Sequence, residues 1–126
     1  WTIAKKSNLD LTKTFKGIGV SSGNSFVHET ESQVILNGSY NINFTMDLVE
    51  KDITLFNNLA EKLNIPLEIS PLVLKIFKDG HKKYGSRAWS SMIVKRMEDL
   101  NKIDFRAKGF PAELKDNEPE EKGYEI

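Results

Sequence analysis

The stretch FTMDLVEKDITLFNNLAEKL, Phe44–Leu63, limits what this chain can fold into more than any other. Helical residues advance by about 100° each. At that spacing Leu48, Val49, Ile53, Leu55, Phe56, Leu59, Ala60 and Leu63 gather in one broad stripe, while Asp47, Glu50, Thr54, Asn57, Asn58 and Glu61 face away. This is the pattern of a long amphipathic helix, expected over about Thr45–Asn64. Asp52 breaks the pattern. It stands near the middle of the apolar stripe, with Lys51 at the stripe's edge. A carboxylate that leaves water without a partner costs several kcal/mol or is forced to protonate. Two kinds of arrangement would resolve the conflict. Asp52 pairs with a buried cation or another helix's N-terminus, or the stripe is only partly covered and Asp52 lines a wet cleft.

Helical patterns continue on both sides. Trp1–Asn8 reads as the end of a helix. Asp10 or Thr12 can cap a short helix carrying Leu11, Phe15 and Ile18. After a turn at Gly19–Ser25, a helix from Phe26 stops at Asn37-Gly38. The connection SYNINF leads into the long helix, and NIPLEIS leads out of it. Ser70 is the expected N-cap of the next helix, with Pro71 in its first turn and Gly85 after its end. A last helix is expected at about Trp89–Lys102, capped by Ser86 or Ser90. No convincing strand, hairpin or repeat is present, so the fold class is all-α. The expected division is a helical domain over 1–105 and an acidic tail over 106–126. Within 111–126, two lysines stand against six acidic residues, which fits either a solvated terminus or a strap on a more basic surface.

Composition removes several classes of function. Eighteen basic and eighteen acidic residues balance to zero, unlike the basic excess of a nucleic-acid binder. The absence of cysteine rules out disulfides and thiolate metal sites. No apolar run is long enough for a transmembrane helix, and no signal peptide is visible, so the expected setting is the cytoplasm. The sequons at Asn37 and Asn43 then read as chance. The opening at Trp1 falls part-way through a helix, which suggests a fragment.

Other motifs carry little chemistry. GIGVSSG has the wrong glycine spacing for a dinucleotide fingerprint and no strand before it. His28 and His81 lack metal-ligand spacing and read as surface or helix-end histidines. Gly80 within a helix implies close packing.

Four segments, in order, resemble the C-terminal helical domain of the β-hydroxyacid dehydrogenases, the family of 3-hydroxyisobutyrate dehydrogenase, tartronate semialdehyde reductase and relatives of 6-phosphogluconate dehydrogenase. SSGNSF resembles the family's Ser-Gly-x-Ser-aromatic turn. Phe44 through Lys51-Asp52-Ile53 resembles its aromatic-to-Lys-Asp helix start. Asn64-Ile65-Pro66 resembles the exit, and YGSRAWSS the turn into the last helix. Ala88 stands where the family pattern has an aspartate, and the acidic tail is also a departure; together they point to a distinct subfamily.

The resemblance implies a helical bundle like the C-terminal domain of 6-phosphogluconate dehydrogenase, without the Rossmann domain that binds NAD or NADP and without the main catalytic lysine. It implies an active-site face, with Lys51 reaching the cofactor near the nicotinamide, Asp52 close to the catalytic centre and Phe44 beside the substrate. Ser25 and Phe26 would approach the same cleft. The implied partners are the chain's own N-terminal Rossmann domain, a small hydroxy acid or its semialdehyde, and further copies of the protein, with no nucleic acid or membrane. A non-catalytic helical dimerisation or interaction module is the alternative.

Overall fold

A computed structural model describes residues 1–115 and Gly123. Its helices are α1 (Thr2–Lys6), α2 (Leu11–Gly19), α3 (Phe26–Asn37), α4 (Met46–Lys62), α5 (Ser70–Tyr84) and α6 (Lys95–Asn101), with a 3₁₀ turn over Ser90–Val94 before α6. Among the described residues there is no strand, only an isolated antiparallel bridge between Thr45 and Trp89. The all-α expectation therefore holds.

The helix boundaries follow local chemistry. Asp10 caps α2, its carboxylate accepting from the Lys13 amide at 2.8 Å. Ser25 caps α3, its hydroxyl accepting from the His28 amide at 3.0 Å. Gly38 ends α3 at φ +96°, a conformation suited to glycine, and a Cβ there would run into Arg106. Two expected caps differ. Ser70 is the first residue of α5 rather than its cap, because its hydroxyl donates to the Asn57 side chain of α4. Neither Ser86 nor Ser90 caps the last helix. The Ser90 amide is held by the Phe44 carbonyl at 2.8 Å and the Ser91 hydroxyl by the Tyr40 carbonyl at 2.6 Å, so this segment is tied to the 40–45 connection and turns as a 3₁₀ helix. The expected single helix over Trp89–Lys102 is thus a 3₁₀ turn followed by α6.

α4 and α5 form an antiparallel hairpin. The start of α5 bonds to mid α4 through Ser70 and Asn57, and its end returns to the start of α4 through His81 and Glu50. Gly80 is buried where α5 crosses Met46 and Ile93, and a Cβ there would lie 2.6 Å from the Ile93 side chain and 3.1 Å from the Met46 sulfur. The expected close approach is present. The main core lies among α1, α2, α3 and the 105 segment, where Ala4, Leu11, Ile35, Leu36, Tyr40 and Phe105 pack together, bordered by Trp1, Phe15, Trp89 and Phe110.

Residues 105–112 lie along the end of α3. The Ala107 amide bonds to the Leu36 carbonyl at 2.9 Å, and Asn37 and Ser39 donate to the carbonyls of Phe110 and Ala112. Glu98, 3% exposed, anchors this segment. It accepts from the Phe105 amide at 2.7 Å, from Arg106 at 3.1 Å and from the Tyr40 hydroxyl. The acidic run from Asp116 onward lies outside the described residues, Gly123 apart.

Candidate functional site

The packing of α4 splits its apolar stripe in two. Met46, Val49, Ile53 and Ala60 turn toward the rest of the bundle and are buried or half-buried. Leu55, Phe56, Leu59 and Leu63 are 56–59% exposed. Asp52 lies among this outer set and is itself exposed, as is Lys51. Their side chains pair at 2.6 Å. An exposed ion pair of this kind contributes at most about 1 kcal/mol, so it is no structural keystone. The carboxylate at the centre of the greasy stripe has not left water. Within this chain the stripe is only partly covered.

Lys51 also borders a shallow depression with Asp47, Glu50, Thr54, Leu55 and His81. His81 Nδ1 and Glu50 Oε2 are 2.7 Å apart across it. At its edge Asp47 accepts from Thr45, Arg87 and the Leu48 amide, which hold its carboxyl below the usual carboxylate range.

Phe44 and Ser25 meet elsewhere. Both line a cavity of about 510 Å³ bounded by α3, α4, α5 and the 3₁₀ turn. Apolar walls come from Val27, Ile35, Val49, Phe77, Ile93 and Val94, and polar groups from His28, Glu31, Ser32 and Ser90. Phe26 is 80% exposed and does not line it. The expected site residues therefore form two groups, Lys51 with Asp52 on the outer face of α4 and Phe44 with Ser25 at the cavity.

Sequence reasoning missed three residues of this cavity. His28 stands at a helix end, in the first turn of α3, but is buried, because its ring stacks between Phe15 and Trp1 with centroids 4.7 and 5.8 Å away, and its Nε2 lies 2.9 Å from the Phe15 carbonyl. Glu31 falls at helical spacing between Val27 and Ile35, the same kind of anomaly as Asp52, and that signal was available. Ser90 gave no signal, since its burial depends on packing between distant segments.

The chain makes no dinucleotide cradle from GIGVSSG. Gly17 and Gly19 lie within α2, so this glycine run builds helix rather than a phosphate loop. Among the described residues no cluster of acidic residues and histidines is suited to a metal ion, and no helix is long and apolar enough to cross a membrane.

A helical unit with an aromatic-to-Lys-Asp helix left open on one face defines a class. Residues 1–97 match a family described as "NAD-binding of NADP-dependent 3-hydroxyisobutyrate dehydrogenase". The chain belongs to that family, within the β-hydroxyacid dehydrogenases. It is 30% identical over 87 residues to 2-(hydroxymethyl)glutarate dehydrogenase of Eubacterium barkeri. That match takes in 68% of this chain and 29% of the relative, so the chain spans less than a third of the relative's length.

Proposed function

We propose that this chain is the substrate-side helical domain of an NAD(P)-dependent oxidoreductase acting on a small hydroxy acid or its semialdehyde, completed by a Rossmann domain. The carrying observation is the outer face of α4, where a lysine and a carboxylate stand together in exposed apolar surroundings that nothing in the described chain covers. Polar groups set in an apolar wall are the ordinary make-up of a small-molecule site once a second surface closes over them. When bound, NAD or NADP would supply the hydride chemistry. In this reading Lys51 meets the cofactor near its nicotinamide end and Asp52 orients the reacting groups. Phe44 gives the substrate an apolar wall, and Ser25, which shares a cavity with Phe44, approaches it from the start of α3 with Phe26 next in the chain. The same exposed leucines also suit a dimerisation surface, so the module reading stands as the second.

The test uses the full-length enzyme. Lys51→Ala should weaken cofactor affinity, and Asp52→Asn should slow the chemical step by about 30- to 1,000-fold, the effect of losing roughly 2–4 kcal/mol from one positioned charge in a closed site. Both groups are exposed in the isolated chain, so the melting temperature of that chain should barely move in either variant. Normal single-turnover rates and cofactor affinity in both variants would sink the active-site assignment.

A further inference from the structure

The cavity behind Phe44 holds two polar groups that have no partner among the described residues. Ser90 is 4% exposed, yet its hydroxyl has no hydrogen bond among the described residues. A buried hydroxyl left in that state costs about 1–3 kcal/mol unless something occupies the site. Glu31 faces the same space from α3. Among the described residues no hydrogen bond or ion pair engages its carboxyl, and burial alone lifts it above the ordinary carboxylate range.

The surroundings define the missing partner. Among the described residues no lysine or arginine lines the cavity. The His28 ring is already engaged, by the Phe15 carbonyl at 2.9 Å and the Ser32 hydroxyl at 3.3 Å. An anionic group would meet the Glu31 carboxylate and, among the described residues, no lysine or arginine side chain. Ile35, Phe44, Val49 and Phe77 provide apolar wall, and about 510 Å³ is within the range of small-molecule pockets.

We propose that this cavity binds a small primary amine on an apolar body, its ammonium paired with Glu31 and hydrogen-bonded to the Ser90 hydroxyl. The ammonium supplies three donors and one positive charge, which answer a carboxylate and a hydroxyl oxygen together. The apolar body replaces water against the aliphatic and aromatic walls. This site goes beyond the hydroxy acid reading, which puts its charged groups at Lys51 and Asp52 on the outer face of α4 and asks only an apolar wall of Phe44.

Amide NMR of the 126-residue chain, titrated with 2-phenylethylammonium and separately with 3-phenylpropanoate, tests it. The ammonium should give saturable shifts at Glu31, Phe44, Val49 and Ser90, and the carboxylate of similar shape should not. Glu31→Gln and Ser90→Ala should each weaken amine binding about tenfold while the spectrum stays folded. Glu31 is only partly buried and Ser90→Ala removes a hydroxyl that has no partner, so both variants should fold. Equal binding of the anion, the absence of saturable shifts with the amine, or wild-type affinity in both variants would overturn the proposal.

Discussion

Tyr40 shows how much one residue can hold together in a chain with few buried side chains. It sits at φ +55°, a backbone region that side chains larger than glycine seldom adopt, just after the end of α3. Its amide bonds to the Val34 carbonyl, its own carbonyl accepts from Ser91, and its hydroxyl lies between Glu98 and Arg106. Burial first, then the hydrogen bond to Glu98, pushes the phenol up from 10.0 to about 12. The folded value lies above the unfolded one. The stability this group lends is therefore whole below pH 10 and is lost as pH rises toward 12. Ultraviolet titration should find Tyr40 the last of the three tyrosines to ionise, with Tyr40→Phe removing that late step. The same variant should lower stability by about 1–3 kcal/mol at neutral pH, because Glu98 keeps its burial and loses a donor. Late ionisation that persists in the variant would show that the assignment is wrong. None of this was legible from sequence, because it depends on three side chains brought together from positions 40, 98 and 106.

Single elements were far more legible. The apolar spacing of α2 through α5, Asp10 as a cap, the stop at Gly38 and the crossing at Gly80 follow from residues close in the chain, and local chemistry decides them. What failed was decided by other elements. Ser70 lost its capping role to Asn57, and the last helix tightened into a 3₁₀ turn where Ser90 and Ser91 meet the 40–45 connection. The candidate site divides in the same way. The anomaly at Asp52 and Lys51 could be seen on a helical wheel, whereas which half of the stripe α5 covers could not. Ser25 shows the two levels competing for one side chain. Its hydroxyl already accepts from the His28 amide, so its first contribution is to start α3. Ser25→Ala should cost the isolated chain about 1 kcal/mol, and Ser25→Asp, another good cap, should recover most of it. Thermal melts of the two variants settle this. A fully stable alanine variant would return Ser25 to the list of groups free for a ligand.

At the scale of the whole molecule, the dominant fact is how much apolar surface the described chain leaves in water. The outer stripe of α4 presents Leu55, Phe56, Leu59 and Leu63, and Ile65, Ile69 and Leu72 continue it along the hairpin's exit and the start of α5, each more than half exposed. Single exposed apolar residues are normal, but this many on one hairpin point to an interface. Burial is favourable by roughly 25 cal/mol per Å² of apolar surface, so the isolated chain should lower its free energy by pairing two such faces. We expect concentration-dependent self-association, read by sedimentation velocity or light scattering. Leu55→Glu with Leu59→Glu should abolish it without changing the helical circular dichroism, because both side chains already stand in solvent. Salt separates this from a charge effect. Association driven by the stripe should strengthen or hold as salt rises, while pairing through Lys51 and Asp52 should weaken under screening. On the proposed function, the same double substitution in a full-length oxidoreductase should disturb whichever contact covers α4. Lost cofactor affinity in an intact oligomer would identify the Rossmann domain as that cover. Dissociation with unchanged affinity per subunit would identify a second copy of the helical domain. An isolated chain that stays monodisperse and monomeric at high concentration would show that this band is not adhesive, and the dimerisation reading would fall with it.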